Sequence, residues 1–305
     1  MLMLLAMAVP LAVLGFTLFD EDEEPVERTV GDDDADRIEG DEGRDFIDGQ
    51  AGNDILNGQA GNDTIFGREG EDVLQGEDGD DMLCSGDGDD IVTGNRGLDM
   101  IEGQGGDDWV SGDYGADTVR GDAGEDTVMG GRGSDEVEGG AGDDLLFGGI
   151  IEGIPLDLSE MEALRDGESL SVINGGIEMR DDSIGNTLRG GTGDDDLVMG
   201  SGDMGVGGNG ADTFHIMSEQ NTDNAGAATV CDYTAGEDAI TLIVDDTSVD
   251  ADISVTDDGE DAVVRMGDTI VARVEGAAGN LAAGDITLIA ENTVEGLFDP
   301  NSAAA

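Results

Sequence analysis

A nine-residue repeat fills the chain from Gly31 to Phe147, where thirteen blocks follow one another without a gap. GQAGNDILN, GEDGDDMLC and GGAGDDLLF are three of these blocks. The first and fourth positions are each Gly in twelve blocks, with Ser85 and Asp34 as the exceptions, and the eighth is always Ile, Leu or Val. A repeat this regular predicts a stack of similar short units, each of which contacts its neighbours.

The sixth position is Asp in every block, and the expected chemistry depends on it. The thirteen residues are Asp36, Asp45, Asp54, Asp63, Asp72, Asp81, Asp90, Asp99, Asp108, Asp117, Asp126, Asp135 and Asp144. The Gly-rich first six positions predict a tight turn, because glycine adopts positive φ angles that other residues resist. Such a turn can direct carbonyl oxygens to one point, where the Asp adds a carboxylate. An all-oxygen site suits a hard cation, and Ca²⁺ accepts six to eight such ligands in irregular geometry.

The last three positions of a block predict a very short strand, in which the aliphatic eighth side chain points inward and its two neighbours point outward. Stacked blocks would form a narrow roll with aliphatic side chains inside, turns along two edges and ions between the turns. Side chains at the seventh and ninth positions, which include Phe66, Trp109 and Phe147, are expected outside the roll or under a neighbouring segment.

The blocks resemble the nonapeptide repeat G-G-x-G-x-D-x-U-x of RTX, or haemolysin-type calcium-binding, proteins. The resemblance implies an all-β fold, a parallel β-roll, with each Ca²⁺ held between turns two blocks apart and with carbonyls of the first and third positions as further ligands. Thirteen blocks would then hold about 13 − 2 = 11 ions. The second position departs from the family pattern, since it is Gly in only three blocks, and weak binding is expected at turns that carry Arg44 or Arg68.

The charge of the chain indicates why the array would need its ions. The formal net charge is −62, from 74 acidic and 12 basic residues. The thirteen blocks hold 35 acidic and 6 basic residues, a net charge of −29, which eleven Ca²⁺ would reduce to about −7. We therefore expect disorder without calcium and folding with it. Nucleic acid is excluded as a partner, because proteins that bind it are basic.

Strong acidity is also typical of a disordered solvating tail and of a surface adapted to high salt. The nine-residue register argues against the tail, because a solvating segment does not need an aliphatic residue at every ninth position.

The repeat is interrupted after Phe147 and returns at Gly190–His215. The blocks GGTGDDDLV and GGNGADTFH place Asp195 and Asp212 at the sixth position. An eight-residue block between them has Met204 at that position, which argues against a metal site there.

The interruption carries the signals of one short helix. A capping box at residues 159–162 precedes the apolar residues Met161 and Leu164, and Gly167 is the expected end of the helix. A strand is predicted near residues 169–173. This insertion is the expected place for a specific activity, although nothing in it has catalytic form.

Residues 207–242 resemble the end of the repeat array in serralysin-type secreted proteases. GGNGADTFHI is followed by TVCDYTAGEDAITL, with Tyr233 where the family usually has Phe. The resemblance implies Asp232 and Asp238 as ligands of a last ion, although both also suit ordinary turns. It further implies an uncleaved type I secretion signal in the C-terminal region.

Alternating apolar residues predict strands at 252–256, 262–266 and 269–274. The last two form a hairpin around Gly267 and Asp268, with one buried face that includes Val264 and Ala272. These strands are expected to cap the open end of the roll.

The N-terminal segment Met1–Phe19 is apolar apart from Thr17, with no Lys or Arg before it. Three alternatives stay open: a membrane anchor or uncleaved signal-like helix, a cleaved signal, and an apolar element that docks elsewhere. Membrane contact follows from the first.

The chain accordingly divides into six segments. They are an apolar N-terminal segment at 1–19, an acidic linker at 20–30, the calcium-binding roll at 31–147, an insertion at 148–189, resumed repeats at 190–215, and a C-terminal β cap with the secretion region at 216–305.

The sequence lacks the residues of common catalytic sites. His215 is the one histidine, which excludes the H-E-x-x-H zinc site, and its ninth position predicts a surface side chain. Neither G-x-S-x-G nor a P-loop occurs. Cys84 and Cys231, far apart in sequence, make no disulfide framework.

The sequence therefore predicts an exported, extracellular, non-enzymatic protein that folds on several Ca²⁺ ions, with type I secretion machinery as a partner. The alternatives are an accessory module that binds extracellular polysaccharide through bridging calcium, a surface adhesin anchored by residues 1–19, and a non-catalytic partner of a secreted enzyme.

Overall fold

The computed structural model describes residues 26–151, 154, 156–166, 179–218, 226–244 and 252–290. The predicted N-terminal helix, the strand near 169–173, Gly167 and the C-terminal end of the predicted secretion region lie outside these ranges. Within them, no helix has the length and apolar character needed to span a bilayer.

Short strands account for most of the described chain. In order they are β1 (Glu27–Val30), β2 (Arg37–Glu39), β3 (Asp45–Ala51), β4 (Ile55–Asn57), β5 (Thr64–Glu69), β6 (Val73–Asp78), β7 (Met82–Asp87), β8 (Ile91–Gly97), β9 (Met100–Gly105), β10 (Trp109–Gly115), β11 (Thr118–Ala123), β12 (Thr127–Arg132), β13 (Glu136–Ala141), β14 (Leu145–Phe147), β15 (Ile150–Ile151), α1 (Leu158–Arg165), β16 (Met179–Arg180), β17 (Thr187–Thr192), β18 (Asp196–Met199), β19 (Met204–Asn209), β20 (Thr213–Met217), β21 (Ala228–Val230), β22 (Ala239–Val244), β23 (Ile253–Asp258), β24 (Asp261–Met266), β25 (Thr269–Val274) and β26 (Ile286–Ala290).

Successive blocks contribute to two different sheets. The first sheet has the order β1-β3-β5-β7-β9-β11-β13-β17-β19-β21-β25-β24-β23, and the second has the order β2-β4-β6-β8-β10-β12-β14-β18-β20-β22-β26. Pairing within the array is parallel, and Trp109 is opposite Ile91 on one side and Thr127 on the other. One complete turn of the roll therefore takes two blocks, or eighteen residues.

Eighth-position side chains from both sheets form one inner core. From Ile47 to Leu146 they are at most 1 % exposed, and Leu188, Leu197 and Phe214 continue the same cluster after the insertion. The predicted inward direction of the eighth position, and with it the all-β parallel roll, is confirmed.

A second apolar cluster covers the outer face of the second sheet. It joins Trp109 and Phe147 to Met161 and Leu164 of α1, and all four side chains are at most 2 % exposed. On the outer face of the first sheet, Phe66 is half-buried against Phe46, with their ring centroids 5.6 Å apart. Trp109 and Phe147 thus lie under a neighbouring segment, as the outward direction of their positions allowed.

Helix α1 begins earlier than its sequence signals indicate. The N-cap is Asp157, whose side chain accepts hydrogen bonds from the backbone N–H groups of Ser159 and Glu160, at 2.9 and 3.0 Å. Glu160 completes the capping box by accepting the Asp157 amide at 2.8 Å. The predicted cap at Ser159 was therefore wrong by two residues, because Asp157 offers the same chemistry earlier in the chain.

The roll resumes before Gly190. In β17, Thr187 and Leu188 pair with Glu136 and Val137 of β13, so Leu188 takes an eighth position. The boundary placed at Gly190 is corrected accordingly, because the turn that leads into β17 ends in Asn186, where the repeat has Asp.

The C-terminal strands extend both sheets. β25 runs parallel to β21, β26 runs parallel to β22, and β24 pairs antiparallel with both β23 and β25. The hairpin at Gly267 and Asp268 is as predicted, but Val263 and Val271, on its supposedly open face, are only 3 % and 2 % exposed.

Candidate metal centres

Sixth-position residues are linked by hydrogen bonds into two rows along the roll. The backbone N–H of each donates to Oδ1 of the sixth-position residue two blocks later, for example Asp54 to Asp72 at 2.7 Å and Asp81 to Asp99 at 2.9 Å. Row one contains Asp36, Asp54, Asp72, Asp90, Asp108, Asp126, Asp144, Asp195, Asp212 and Asp238. Row two contains Asp45, Asp63, Asp81, Asp99, Asp117, Asp135, Asn186 and Asp203.

The turns that present these residues have the same backbone whether or not the second position is Gly. Gln50, Arg68 and Asp113 occupy it with φ of 86°, 96° and 73°. This left-handed conformation costs a non-glycine residue about 1–2 kcal/mol. The fourth position is more restrictive, because a Cβ on Gly79 would overlap the carbonyl oxygen of Gly61 in the turn stacked against it. Close stacking of turns therefore explains the fourth-position Gly.

The second oxygen of the sixth-position carboxylates is buried without a hydrogen-bond partner among the described residues. This holds for Oδ2 of Asp54, Asp63, Asp72, Asp81, Asp90, Asp99, Asp108, Asp117, Asp126, Asp135, Asp144 and Asp195. Leaving one buried polar group unsatisfied costs about 1–3 kcal/mol, and more where the group is charged. A regular row of such atoms indicates that something outside the polypeptide satisfies them.

Except for Asp90, each of these carboxylates lies against the first-position Gly of its own block, and we call the place where its Oδ2 faces a first-position carbonyl two blocks later the cradle. A Cβ added to the first-position Gly112 would lie 2.6 Å from Oδ2 of Asp117, in its own block, and 2.7 Å from the carbonyl oxygen of Gly130, two blocks later. Contacts this short leave little room for a side chain at the first position, which explains why twelve of the thirteen blocks have Gly there. The corresponding two oxygens, the Asp Oδ2 of the same block and the first-position carbonyl two blocks later, lie beside an added Cβ at Gly40, Gly49, Gly58, Gly76, Gly94 and Gly103.

The donor set favours a hard cation. No three His, Cys, Asp or Glu side chains converge anywhere in the described part of the chain. A site here must therefore combine one or two carboxylates with backbone carbonyls. Oxygen-only sets of this kind suit Ca²⁺ rather than zinc, which prefers nitrogen and sulfur. The residues present thus fit calcium.

The raised pKa values of the buried sixth-position carboxylates also favour a bound cation. Burial raises the pKa of Asp99 to about 8 and that of Asp108 to about 9, and carboxylates in adjacent turns of the same row add to each rise. Burial likewise raises the pKa of Asp144 to about 8. A divalent cation in the cradle would reverse this preference for the protonated acid.

Two members of row two were missed from the sequence. Asn186 and Asp203 are the sixth-position residues where the block length departs from nine. Asp203 accepts the Asn186 amide through Oδ1 and the Gly200 amide through Oδ2, at 2.8 and 2.7 Å. Met204, assigned to that position from the sequence, is instead the 45 % exposed first residue of β19. The residue directly before the short strand pattern identifies the sixth position here. Counting from the previous Gly does not, because the block is not nine residues long.

The remaining predicted ligands are placed as follows. Asp36 and Asp45, in the first two turns, accept the amides of Asp32 and Asp41 through Oδ2. Asp195 and Asp212 continue row one, and Asp238 ends it by accepting the Asp212 amide at 3.1 Å. Asp232 accepts the amides of Gly207 and Gly208, both at 2.9 Å.

Arg68, expected to weaken its turn, directs its guanidinium away from the cradles. It forms two hydrogen bonds of 3.0 Å with Asp48 and lies 4.6 Å from the centroid of Phe66, on the outer face of the first sheet.

His215 is buried, not exposed as predicted. It is 7 % exposed on the second sheet, with Nδ1 2.7 Å from Oγ1 of Thr241 and Nε2 2.8 Å from Oδ1 of Asp196. Its ninth position does face outward, but polar neighbours on adjacent strands enclose it. Cys84 and Cys231 are both free thiols.

Comparison with known proteins identifies the repeat. The family model for the RTX calcium-binding nonapeptide repeat matches residues 30–65, 57–92, 85–119, 93–128 and 120–150. The chain matches no curated protein. Among solved structures it is similar to the extracellular lipase LipA from Serratia marcescens, at 16 % identity over 83 % of this chain and 42 % of that one, with a TM-score of 0.23. The chain thus spans less than half of the lipase, and a likeness this low carries no argument about activity. Residues 30–150 are RTX calcium-binding nonapeptide repeats, and the parallel β-roll that they form fits an RTX repeat protein.

Proposed function

We propose that this chain is an exported, non-enzymatic protein whose roll folds when it binds Ca²⁺ outside the cell. The observation that supports this most strongly is the pair of rows of buried Oδ2 atoms without donors, each beside a backbone carbonyl oxygen. Both groups are ligands that calcium takes, and the buried Oδ2 atoms would be left unsatisfied in a folded chain without it.

The sixth-position Asp supplies the carboxylate of each site, and the first-position residue two blocks later supplies a carbonyl. Bound Ca²⁺ contributes positive charge and links stacked turns. The chain's own residues set the spacing, because the amide-to-Oδ1 bond holds each carboxylate against the next turn and leaves Oδ2 free.

Calcium concentration would control folding. In cytosol, free Ca²⁺ is scarce, and the rows of acids repel one another, which keeps the chain extended and suited to export. Outside, millimolar Ca²⁺ meets sites that extracellular modules tune to about 10⁻⁴–10⁻³ M. Binding free energy then becomes folding free energy.

The C-terminal region is proposed to act as a serralysin-like cap and to carry the type I export signal. Its support is that β23–β26 extend both sheets at one end of the roll and contribute Val264, Ala272 and Ile286 to the inner core. The proposed lack of enzyme activity is supported by the sequence, which contains one histidine and neither G-x-S-x-G nor a P-loop. The polysaccharide-binding and adhesin alternatives stay predictions of the sequence.

Circular dichroism of the purified full chain tests the proposal. We expect the β signal to grow cooperatively as Ca²⁺ is added, to disappear with chelator, and to need far more Mg²⁺, which holds its waters and demands octahedral geometry. A chain with the same β signal in metal-free buffer at neutral pH would contradict the proposal.

A further inference from the structure

One turn of row one differs from the others at its first position. Ser85 replaces Gly there, and its side chain is fully buried. Its hydroxyl donates a hydrogen bond of 2.9 Å to the carbonyl oxygen of Gly103, which stands two blocks later. That oxygen is the one that borders the cradle at the corresponding place in other turns, such as Gly130 for the cradle of Gly112.

The Ser85 side chain therefore stands where the other turns have a cradle. In turns such as that of Gly112, an added first-position Cβ would lie less than 3.0 Å from both the carboxylate Oδ2 and the carbonyl oxygen, so a side chain there must push these two oxygens apart. Ser85 has that Cβ, and its hydroxyl, which donates to the Gly103 carbonyl, also interacts with the Asp90 carboxylate. Oδ2 of Asp90, in the same block, stays without a hydrogen-bond partner among the described residues.

A second turn, in row two, is altered in a different way. Asn186 holds its sixth position, and a Cβ on Gly148 would lie 2.8 Å from Nδ2 of this Asn. Gly148 is therefore its first-position residue, and the insertion interrupts a single block. Nδ2 of Asn186 donates to the carbonyls of Gly148 and Ile184, at 2.8 and 3.2 Å, while Oδ1 accepts the Asp135 amide at 2.8 Å. These partners fix the orientation of the amide group.

The polarity of this second turn is thus reversed. Where other turns place a carboxylate oxygen against the first-position Gly, Asn186 places an N–H donor, which repels a cation and is already bonded to the carbonyl of Gly148 in its own block. Nδ2 of Asn186 has its partners, in contrast to the sixth-position Oδ2 atoms on either side in sequence, those of Asp144 and Asp195.

We infer that the roll contains two turns that its own side chains close to calcium, at Ser85 in row one and at Asn186 in row two. Calcium then occupies interrupted runs of sites rather than two unbroken rows, and the number of bound ions is lower than the number of turns indicates. This inference rests on the proposed calcium function.

Native mass spectrometry of the full chain at saturating Ca²⁺ tests the inference, because it counts bound ions one by one. Ser85→Gly should hold one ion more than the natural chain, since it restores the residue found in the other twelve blocks. Asn186→Asp should also gain one ion, and the double variant should gain two. Ser85→Ala keeps the Cβ and should gain none.

Matched controls make the same chemical changes at exposed fifth positions. Ser134→Gly and Asn62→Asp should leave the ion count unchanged, and Gly94→Ser should lower it by one by filling an open cradle. An unchanged count in Ser85→Gly overturns the inference for row one, and an unchanged count in Asn186→Asp overturns it for row two, while the proposed function stands. A natural chain that retains no Ca²⁺ at all would instead overturn the proposed function and the inference with it.

Discussion

At the scale of single residues, each sixth-position Asp from Asp54 to Asp195 has two separate tasks. Oδ1 accepts an amide from the turn two blocks earlier, whereas Oδ2 is buried without a partner among the described residues and is the ligand that we propose for Ca²⁺. The sequence predicts the Asp and the metal that suits it because the repeat acts as its own alignment. It does not predict the separate roles of Oδ1 and Oδ2, because these depend on the distance between stacked turns.

Asp99→Asn separates the two tasks, because the amide keeps an oxygen for the Asp81 N–H while the carboxylate is lost. We expect the Ca²⁺ concentration at the midpoint of the dichroism titration to rise several-fold. This rise should be smaller than the rise in Asp99→Ala. The Ala variant also gives up a hydrogen bond worth about 1 kcal/mol. Asp107→Asn, at an exposed fifth position, is the control and should titrate like the natural chain. Equal midpoints for Asp99→Asn and the natural chain would exclude Asp99 as a ligand.

The fourth-position Gly offers a test of turn stacking. In Gly79→Ala, the new Cβ would overlap the Gly61 carbonyl, so the calcium-loaded roll should lose more than about 1 kcal/mol of stability, measured by urea unfolding at saturating Ca²⁺. Gly236→Ala is the control, because Gly236 has φ of 87° but no atom within 4 Å of an added Cβ. Similar losses in both variants would mean that φ strain, rather than close stacking, is the cause.

At the scale of elements, the alternation of blocks between two sheets decides which outward side chains are covered. The seventh positions of the second sheet include Ile55, Val73, Ile91 and Trp109, eighteen residues apart, whereas those of the first sheet include Thr64, Met82 and Met100. The eighteen-residue period was present in the sequence, and it indicates one apolar outer face. What covers that face could not be predicted, because α1 meets it through tertiary contacts that no local pattern encodes.

Trp109 reports on this cover, because it is the one tryptophan of the chain. Leu164→Asp removes a buried apolar side chain, which alone costs about 2–5 kcal/mol, and also places a charge in the second cluster, so helix docking should be lost. We expect the emission of Trp109 to shift to longer wavelength and to become accessible to acrylamide, while the calcium-dependent β signal persists. Ala163→Asp, on the neighbouring half-buried position, should change the emission less. An unchanged emission in Leu164→Asp would show that α1 does not shield Trp109.

At the scale of the whole molecule, the roll brings together many Asp side chains whose pKa is raised by burial. Burial raises the pKa of Asp72 and Asp81 to about 7 and of Asp63 to about 6, with neighbouring carboxylates adding to each rise. A folded pKa above the unfolded value means that the folded chain holds more protons. The resulting stability is fully present below about pH 4 and is lost as pH rises through about 6–9.

In metal-free buffer, the chain should therefore show more β signal at pH 5.5 than at pH 8, measured by circular dichroism after removal of divalent ions by resin. With millimolar Ca²⁺ the order should reverse, because the ligands must lose their protons to bind. A metal-free β signal that is equal or larger at pH 8 would contradict the burial of these acids in the folded chain.

The global shape was the most predictable feature, since thirteen copies of one block allow few arrangements other than a stack. The register through the insertion was not, because Asn186 and Asp203 follow blocks of altered length. His215 was misplaced for a related reason, since its exposure depends on strands β18 and β22 that are distant in sequence.

The insertion leaves and re-enters the roll within one turn, between Gly148 and Asn186. Joining Gly148 directly to Asp182 would leave nine residues through Arg189, so the next block, GGTGDDDLV, would follow in phase. A segment of unrelated sequence could therefore be inserted at this one turn without shifting the block that follows it. Any such inserted segment must cover the outer face of the second sheet around Trp109, which would otherwise be exposed to water.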